Sequence, residues 1–315
     1  MERPTVDVVV PVAAADAIGL RATVARLRAT LTLGPGDTLT VVDNRDLGVV
    51  HADVLVAPEV RTSYYARNRG AARGSAEWLL FLDADATPEP GLLDALFDPP
   101  PNPSVGVLAG AIVDAPPGPA AGVAVRFAAL RGAMSQEVVL AHGPWAFAQT
   151  ANAAVRRSAF TAVRGFCGGV RSGGDADLCW RLRLAGWALE SRPGAVVMHA
   201  NRAQVGGLLA QRFRHGTGAG WLAARWPGAF PARRWPGLLR WGLARALGGA
   251  RALARGDLDA AILGLLDGPA VWAFELGRLM PNRPLRRGWG SCRRRATRRE
   301  GADAGALPPL PPLRG

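Results

Sequence analysis

Trp78-Leu79-Leu80-Phe81-Leu82-Asp83-Ala84-Asp85 is an uninterrupted apolar run that ends in two carboxylates one residue apart. A short continuous run of this kind predicts a strand buried on both faces, the form taken by strands of parallel sheets. In an extended chain residues i and i+2 project to the same side, so Asp83 and Asp85 point together. Such a pair suits a hard divalent cation, Mn2+ or Mg2+, held against a diphosphate. Without a cation or hydrogen-bond donors, placing two carboxylates at the end of a buried strand costs desolvation energy. An Asp-rich turn alone is commonly just a turn, so the surrounding sequence has to decide.

Upstream, residues 6–12 form a β-branched run containing Pro11, and Leu20, Val24, Leu27 and Leu31 then recur at helical spacing. Residues 39–42 read as a second strand ending in Asp43-Asn44, residues 53–57 as a third, and residues 67–76 as a helix. Strands alternating with helices predict an α/β fold with a Rossmann-like, mostly parallel sheet, whose ligands bind at the carboxyl ends of strands. Three such ends carry polar punctuation: Pro11 with its loop, Asp43-Asn44 and Asp83-Ala84-Asp85. Downstream, Pro-rich stretches at 98–103 and 115–119 bracket a strand at 105–113. Asp175-Ala176-Asp177 opens an amphipathic helix stopped by Gly186, and residues 187–197 return as strand, ending at His199. Pro227, Pro231 and Pro236 place the end of this domain near residue 230. A helical extension is expected at 231–282 and a disordered Arg- and Pro-rich tail at 283–315.

Charge is distributed unevenly. All 38 basic residues are Arg, against 25 acids, for a net charge of +13. Residues 1–200 hold 18 Arg and 19 acids, whereas residues 201–315 hold 20 Arg and 6 acids. Clustered Arg attracts nucleic acid or an anionic membrane. No helix-turn-helix, zinc-finger or aromatic RNA-binding motif accompanies it, and Tyr occurs only at Tyr64 and Tyr65, which disfavours nucleic acid. Arg- and Trp-bearing helices fit a membrane-surface element, and equally helices packed on the domain with a solvated Arg face. The best candidate span, residues 258–276, is broken by Asp267-Gly268-Pro269, so no spanning helix is expected. The three cysteines lack CxxC spacing and predict neither a zinc site nor a disulfide framework, and no signal-peptide core precedes the first strand. The expected location is cytoplasmic, with peripheral contact at the inner face of the membrane.

Five motifs now stand in order: Val8-Val9-Val10-Pro11, Val41-Val42-Asp43-Asn44, Ala66-Arg67-Asn68-Arg69-Gly70, Leu80-Phe81-Leu82-Asp83-Ala84-Asp85 and Gly174-Asp175-Ala176-Asp177-Leu178-Cys179-Trp180. Together they resemble glycosyltransferase family 2. The run Arg212-Phe213-Arg214-His215-Gly216-Thr217 with Leu222-Ala223-Ala224-Arg225-Trp226-Pro227 is most similar to the mycofactocin-system members of that family. The resemblance implies a GT-A fold and inverting transfer of a sugar from a nucleotide diphosphate sugar, UDP favoured, to a hydroxyl of a peptide-derived cofactor or of a lipid or polysaccharide. It implies Asp83, Asp85 and His199 as metal ligands and Asp175 as general base. It further implies Pro11, Asp43, Arg67, Asp83 and Arg214 around nucleotide and diphosphate, and Trp145, Gln149, Asn152 and Asp177 around the acceptor and donor sugar. Two departures stand out: Val12-Ala13-Ala14-Ala15 replaces the usual polar residues after the first strand, and Gly174 replaces the first acid of the family's Glu-Asp motif. An Arg-rich nucleic-acid binder and a catalytically degenerate scaffold are the alternatives.

Overall fold

A computed structural model describes residues 3–232 and 235–284. The expected Arg- and Pro-rich tail lies outside them, apart from its first residues. The chain divides into two compact units. The first comprises residues up to Val113 together with Ser135–His199, and the second Asp114–Met134 with Ala200–Asn282. The second unit takes in the chain from Ala200, thirty residues before the domain end expected from the prolines, because the helix at Val205–Arg225 groups with the later helices.

In the first unit the sheet has eight strands: β1 (Val6–Val12), β2 (Thr38–Asp43), β3 (Val54–Val56), β4 (Trp78–Leu82), β5 (Ala86–Pro88), β6 (Val105–Asp114), β7 (Asn152–Arg156) and β8 (Ala188–His199). Their order is β3-β2-β1-β4-β7-β6-β8-β5. The β3-β2-β1-β4 half is parallel, and β7 then runs antiparallel to both β4 and β6, as β5 does to β8. All five residues of β4 are fully buried, as the continuous apolar run predicts. Each such large side chain contributes about 1.5–3 kcal/mol on burial, so β4 is a fixed platform for the residues that follow it.

Helices α1 (Ala17–Thr30) and α2 (Ser63–Ala71) connect the parallel strands. The α1 helix is capped by Asp16, whose side chain accepts from Gly19 N, and buries Leu20, Val24 and Leu27. The α2 helix starts four residues before the expected position. Thr62 caps it by accepting from Tyr65 N at 3.1 Å, a signal that lies outside the apolar periodicity. After α3 (Leu92–Leu96) the chain enters the second unit with α4 (Val123–Arg131), and returns with α5 (Gln136–Leu140), α6 (Arg157–Ala162) and α7 (Gly174–Leu184).

The second unit adds α8 (Val205–Arg225), α9 (Trp235–Ala254) and α10 (Leu258–Gly277) to α4. Ala124, Phe127, Leu208 and Ala270 form its core. Glycines allow close crossings: a Cβ on Gly264 would lie 2.5 Å from Gly249 Cα, and one on Gly277 2.1 Å from Phe213 O. Contrary to expectation, α10 runs unbroken through Asp267-Gly268-Pro269 and is long and apolar enough to cross a membrane, though 44% of its apolar stretch is buried within the fold. Helical packing overrides the breakers here, because buried Asp267 is paired with both Arg131 and Arg245.

Candidate active site

The end of β4 delivers Asp83 and Asp85. The β5–β8 pairing sets Ala86 directly opposite His199, which brings a histidine more than a hundred residues distant to the carboxylate next to Ala86. The ligand atoms of Asp83, Asp85 and His199 all lie within 4.8 Å of one another, and His199 Nε2 is 3.3 Å from Asp85 Oδ1. Two carboxylate oxygens and an imidazole nitrogen are a donor set that fits Mn2+ or Mg2+.

Arg26 of α1, which the motifs did not single out, holds the loop that carries these acids. It donates to Ala84 O at 2.5 Å, Ala86 O at 2.7 Å and Thr87 Oγ1 at 3.3 Å. No local pattern marks such a residue; only the packing of α1 beside β5 reveals it.

Arg67 connects this group to the second acidic motif. It is 3% exposed and forms an ion pair with Asp83, and its guanidinium carbon lies 5.4 Å from the Tyr64 ring centroid. Its Nε is buried without a hydrogen-bond partner. Tyr64 in turn donates from its hydroxyl to Asp175 Oδ1 at 3.2 Å. Tyr64 stands three residues before Arg67 on the same face of α2, a relation that follows only once Thr62 is recognised as the cap that starts the helix at Ser63.

Asp175 sits in the first turn of α7, whose N-cap is Gly173 in the left-handed conformation, so Asp175 is not the cap. The carboxyl of Asp175 is raised above the ordinary range, foremost by burial, against the opposing pull of the Ala176 N–H, Arg67 and Tyr64. A carboxyl displaced in this direction ionises closer to neutrality and is a stronger base once ionised.

Other predicted residues occupy different surroundings. Asp177 is fully buried and paired with Arg181 at 2.9 Å, and Arg181 also donates to Val163 O and Gly165 O, so this acid fastens α7 to the preceding loop. Asn152, opposite Leu82 in β7, spends its amide group on Ala111 O at 2.9 Å and Ala195 O at 2.8 Å, joining β6 and β8. Asp43 accepts from the backbone N–H groups of Arg45, Asp46 and Leu47 at 2.8, 3.1 and 2.6 Å, and so shapes the loop after β2. Pro11 lies in β1 opposite Val42. Trp145 packs edge-on against Trp180, 4.9 Å between centroids, and Gln149 is tied to Gln136 and Ser135. Arg214 belongs to α8 in the second unit, where Arg202, Arg212 and Arg214, after burial itself, push His215 down to about 3.

Comparison with known proteins agrees with these motifs. The family model described as glycosyl transferase family group 2 matches residues 78–256. Two curated relatives from Mycobacterium tuberculosis, strains CDC 1551 / Oshkosh and ATCC 25618 / H37Rv, are each named pre-mycofactocin glycosyltransferase. Each is 34% identical over 229 residues, covering 70% of this chain and 48% of the relative. The chain therefore spans about half the length of the curated relatives it matches. Among solved structures, a mannosyltransferase from Pyrobaculum calidifontis in complex with GDP-Man and Mn2+ is similar with a TM-score of 0.51 and 20% identity. The match covers 88% of this chain and 85% of that one. The fold is accordingly that of the GT-A transferases, with C-terminal helices added. Over more than half its length, including β4 and the second acidic motif, the chain matches that family model, and it belongs to glycosyl transferase family group 2.

Proposed function

We propose that the protein is a divalent-metal-dependent, inverting glycosyltransferase that moves a sugar from a nucleotide diphosphate sugar to an acceptor hydroxyl. The observation that carries this reading is Arg67, which is paired with Asp83 of the metal-binding group and also lies over the Tyr64 ring, whose hydroxyl bonds to Asp175. Asp83, Asp85 and His199 would hold the cation, which when bound neutralises charge on the departing diphosphate. Arg67 places a fixed positive charge beside Asp83, where the diphosphate would lie. Asp175 takes the proton from the acceptor hydroxyl as its oxygen bonds to the anomeric carbon, and the bond from that carbon to the diphosphate oxygen breaks on the opposite face. By the names of the relatives, the favoured acceptor is a peptide-derived cofactor precursor, with lipid or polysaccharide hydroxyls next. UDP is the favoured nucleotide and GDP the first competitor.

The test is hydrolysis of a panel of nucleotide sugars with and without Mn2+ or Mg2+. Turnover of at least one donor is expected only with metal, and Asp175→Asn should lower its rate about 10²–10⁴-fold, the usual worth of general-base catalysis. Absence of turnover and binding across the panel overturns the reading, as does a parent-like rate for Asp175→Asn on a donor that is turned over.

A second proposal concerns location. On α9, Leu239, Leu243 and Leu247 are more than half exposed at successive i+4 positions, with Arg240 and Arg251 exposed beside them. An apolar stripe flanked by cations fits the surface of an anionic membrane. The full chain should co-float with vesicles containing phosphatidylglycerol, and Leu243→Glu with Leu247→Glu should reduce binding about tenfold or more. Equal binding by the double variant returns this face to plain solvent exposure.

A further inference from the structure

Position 174 departs from the family pattern, and the structure supplies a physical reason. A Cβ on Gly174 would lie 2.8 Å from two ring carbons of Tyr64, closer than side chains approach without displacement. The ring has little freedom to yield. Tyr64 is 5% exposed, packs at 5.4 Å on Phe166, and carries the Arg67 guanidinium on its face. From that fixed ring the hydroxyl donates to Asp175 Oδ1 at 3.2 Å.

We propose that Tyr64 is the positioning residue of Asp175: its ring fills the space that any side chain at 174 would need, and its hydroxyl fixes the carboxylate. Oδ1 of Asp175 accepts from Tyr64 and from Ala176 N at 3.0 Å, which leaves Oδ2 as the oxygen to receive a proton. The other ionisable groups nearby are Arg67 on α2, which favours the carboxylate, and Cys179 on α7, whose thiol is pushed up to about 12 by burial and is therefore neutral. Asp177 is engaged by Arg181.

The catalytic part of this proposal rests on the transferase reading, but the geometric part can be measured without any turnover. Tyr64 and Tyr65 are the only tyrosines, so the full chain labelled with 3-fluorotyrosine gives two 19F signals, assigned with Tyr65→Phe. The Tyr64 signal should titrate with a midpoint above the ordinary carboxylate range, and should lose that titration in Asp175→Asn. A signal that is flat with pH in the parent, or that titrates identically in Asp175→Asn, overturns the proposal.

The second variant is Tyr64→Phe, which keeps the ring and removes only the hydroxyl. With whichever nucleotide sugar is hydrolysed, kcat should fall about tenfold while the donor KM stays level. The acid limb of the pH profile should move up by about one pH unit, as expected on losing one hydrogen bond to the charged form. An unmoved acid limb in a folded Tyr64→Phe overturns the positioning role. If the 19F titration is as expected and no donor is turned over, Tyr64 still positions Asp175 and the transferase reading is what fails.

Discussion

The same tripeptide, Asp-Ala-Asp, occurs twice: at 83–85 on the end of β4, and at 175–177 in the first turn of α7. At the first, β4 ends at Leu82 and the expected extended run gives way to a turn closed by Ala86 N–H to Asp83 O, and this turn gathers both carboxylates with His199 into a compact group. At the second, helical geometry turns successive residues by about 100°, so residues two apart diverge by about 200°. Asp175 accordingly meets Tyr64, while Asp177 is buried against Arg181. Backbone form thus divides one tripeptide into a clustered pair of carboxylates at one place and two acids with separate partners at the other.

The sharpest way to break this comparison is a crossed experiment on the two motifs. Asp85→Asn removes a ligand from the compact group and should weaken Mn2+ binding by more than about 100-fold, the upper end of losses from disturbing mere outer-shell partners. Its melting curve should stay near that of the parent, because Asp85 is only half-buried. Asp177→Asn should show the reverse: Mn2+ affinity unchanged, and stability lower by about 2–3 kcal/mol. That is somewhat below the usual cost of orphaning one half of a buried pair, because Arg181 keeps its bonds to Val163 O and Gly165 O. Mn2+ titration followed by electron paramagnetic resonance, and urea unfolding, measure the two. If Asp177→Asn weakens metal binding as much as Asp85→Asn does, the division of roles is wrong.

The parts of this site that were legible in the sequence are those set by backbone periodicity. The five apolar residues of β4 dictated a buried strand, but that strand ends at Leu82, and the turn after it, not strand alternation, brings Asp83 and Asp85 together. The arrival of His199 depended on the β5–β8 register, and β5 is only three residues long, too short to leave a pattern of its own. The family resemblance implies Asn152 and Asp177 around the substrate, and their contacts, from the Asn152 amide nitrogen to backbone carbonyls of β6 and β8 and from Asp177 to an arginine one helical turn on, come from tertiary packing that no motif encodes. A motif marks where a polar side chain stands and not which way it turns. The continuity of α10 across Pro269 was likewise settled by tertiary contacts, which outweighed local propensity.

Asp175 and Asp177 should also differ in how their removal changes stability, and this is the smallest and most diagnostic effect. Burial holds the Asp175 carboxyl above its ordinary value, so between that ordinary value and the raised one the folded chain binds more protons than the unfolded chain. The native state therefore loses stability as pH rises through this window, and at neutral pH it carries the full cost of holding an ionised carboxylate partly out of water. Asp175→Asn removes that cost. It should melt higher than the parent at neutral pH, by a margin that shrinks on acidification and vanishes below the ordinary carboxylate range, where the parent side chain is neutral in both states. Asp177→Asn should melt lower than the parent at neutral pH. Thermal unfolding of the three proteins across the acid-to-neutral range checks this. A destabilised Asp175→Asn at neutral pH would mean that Tyr64 and Arg67 stabilise the charged carboxylate more than burial penalises it, and would remove the argument that this acid is held ready as a base at the expense of stability.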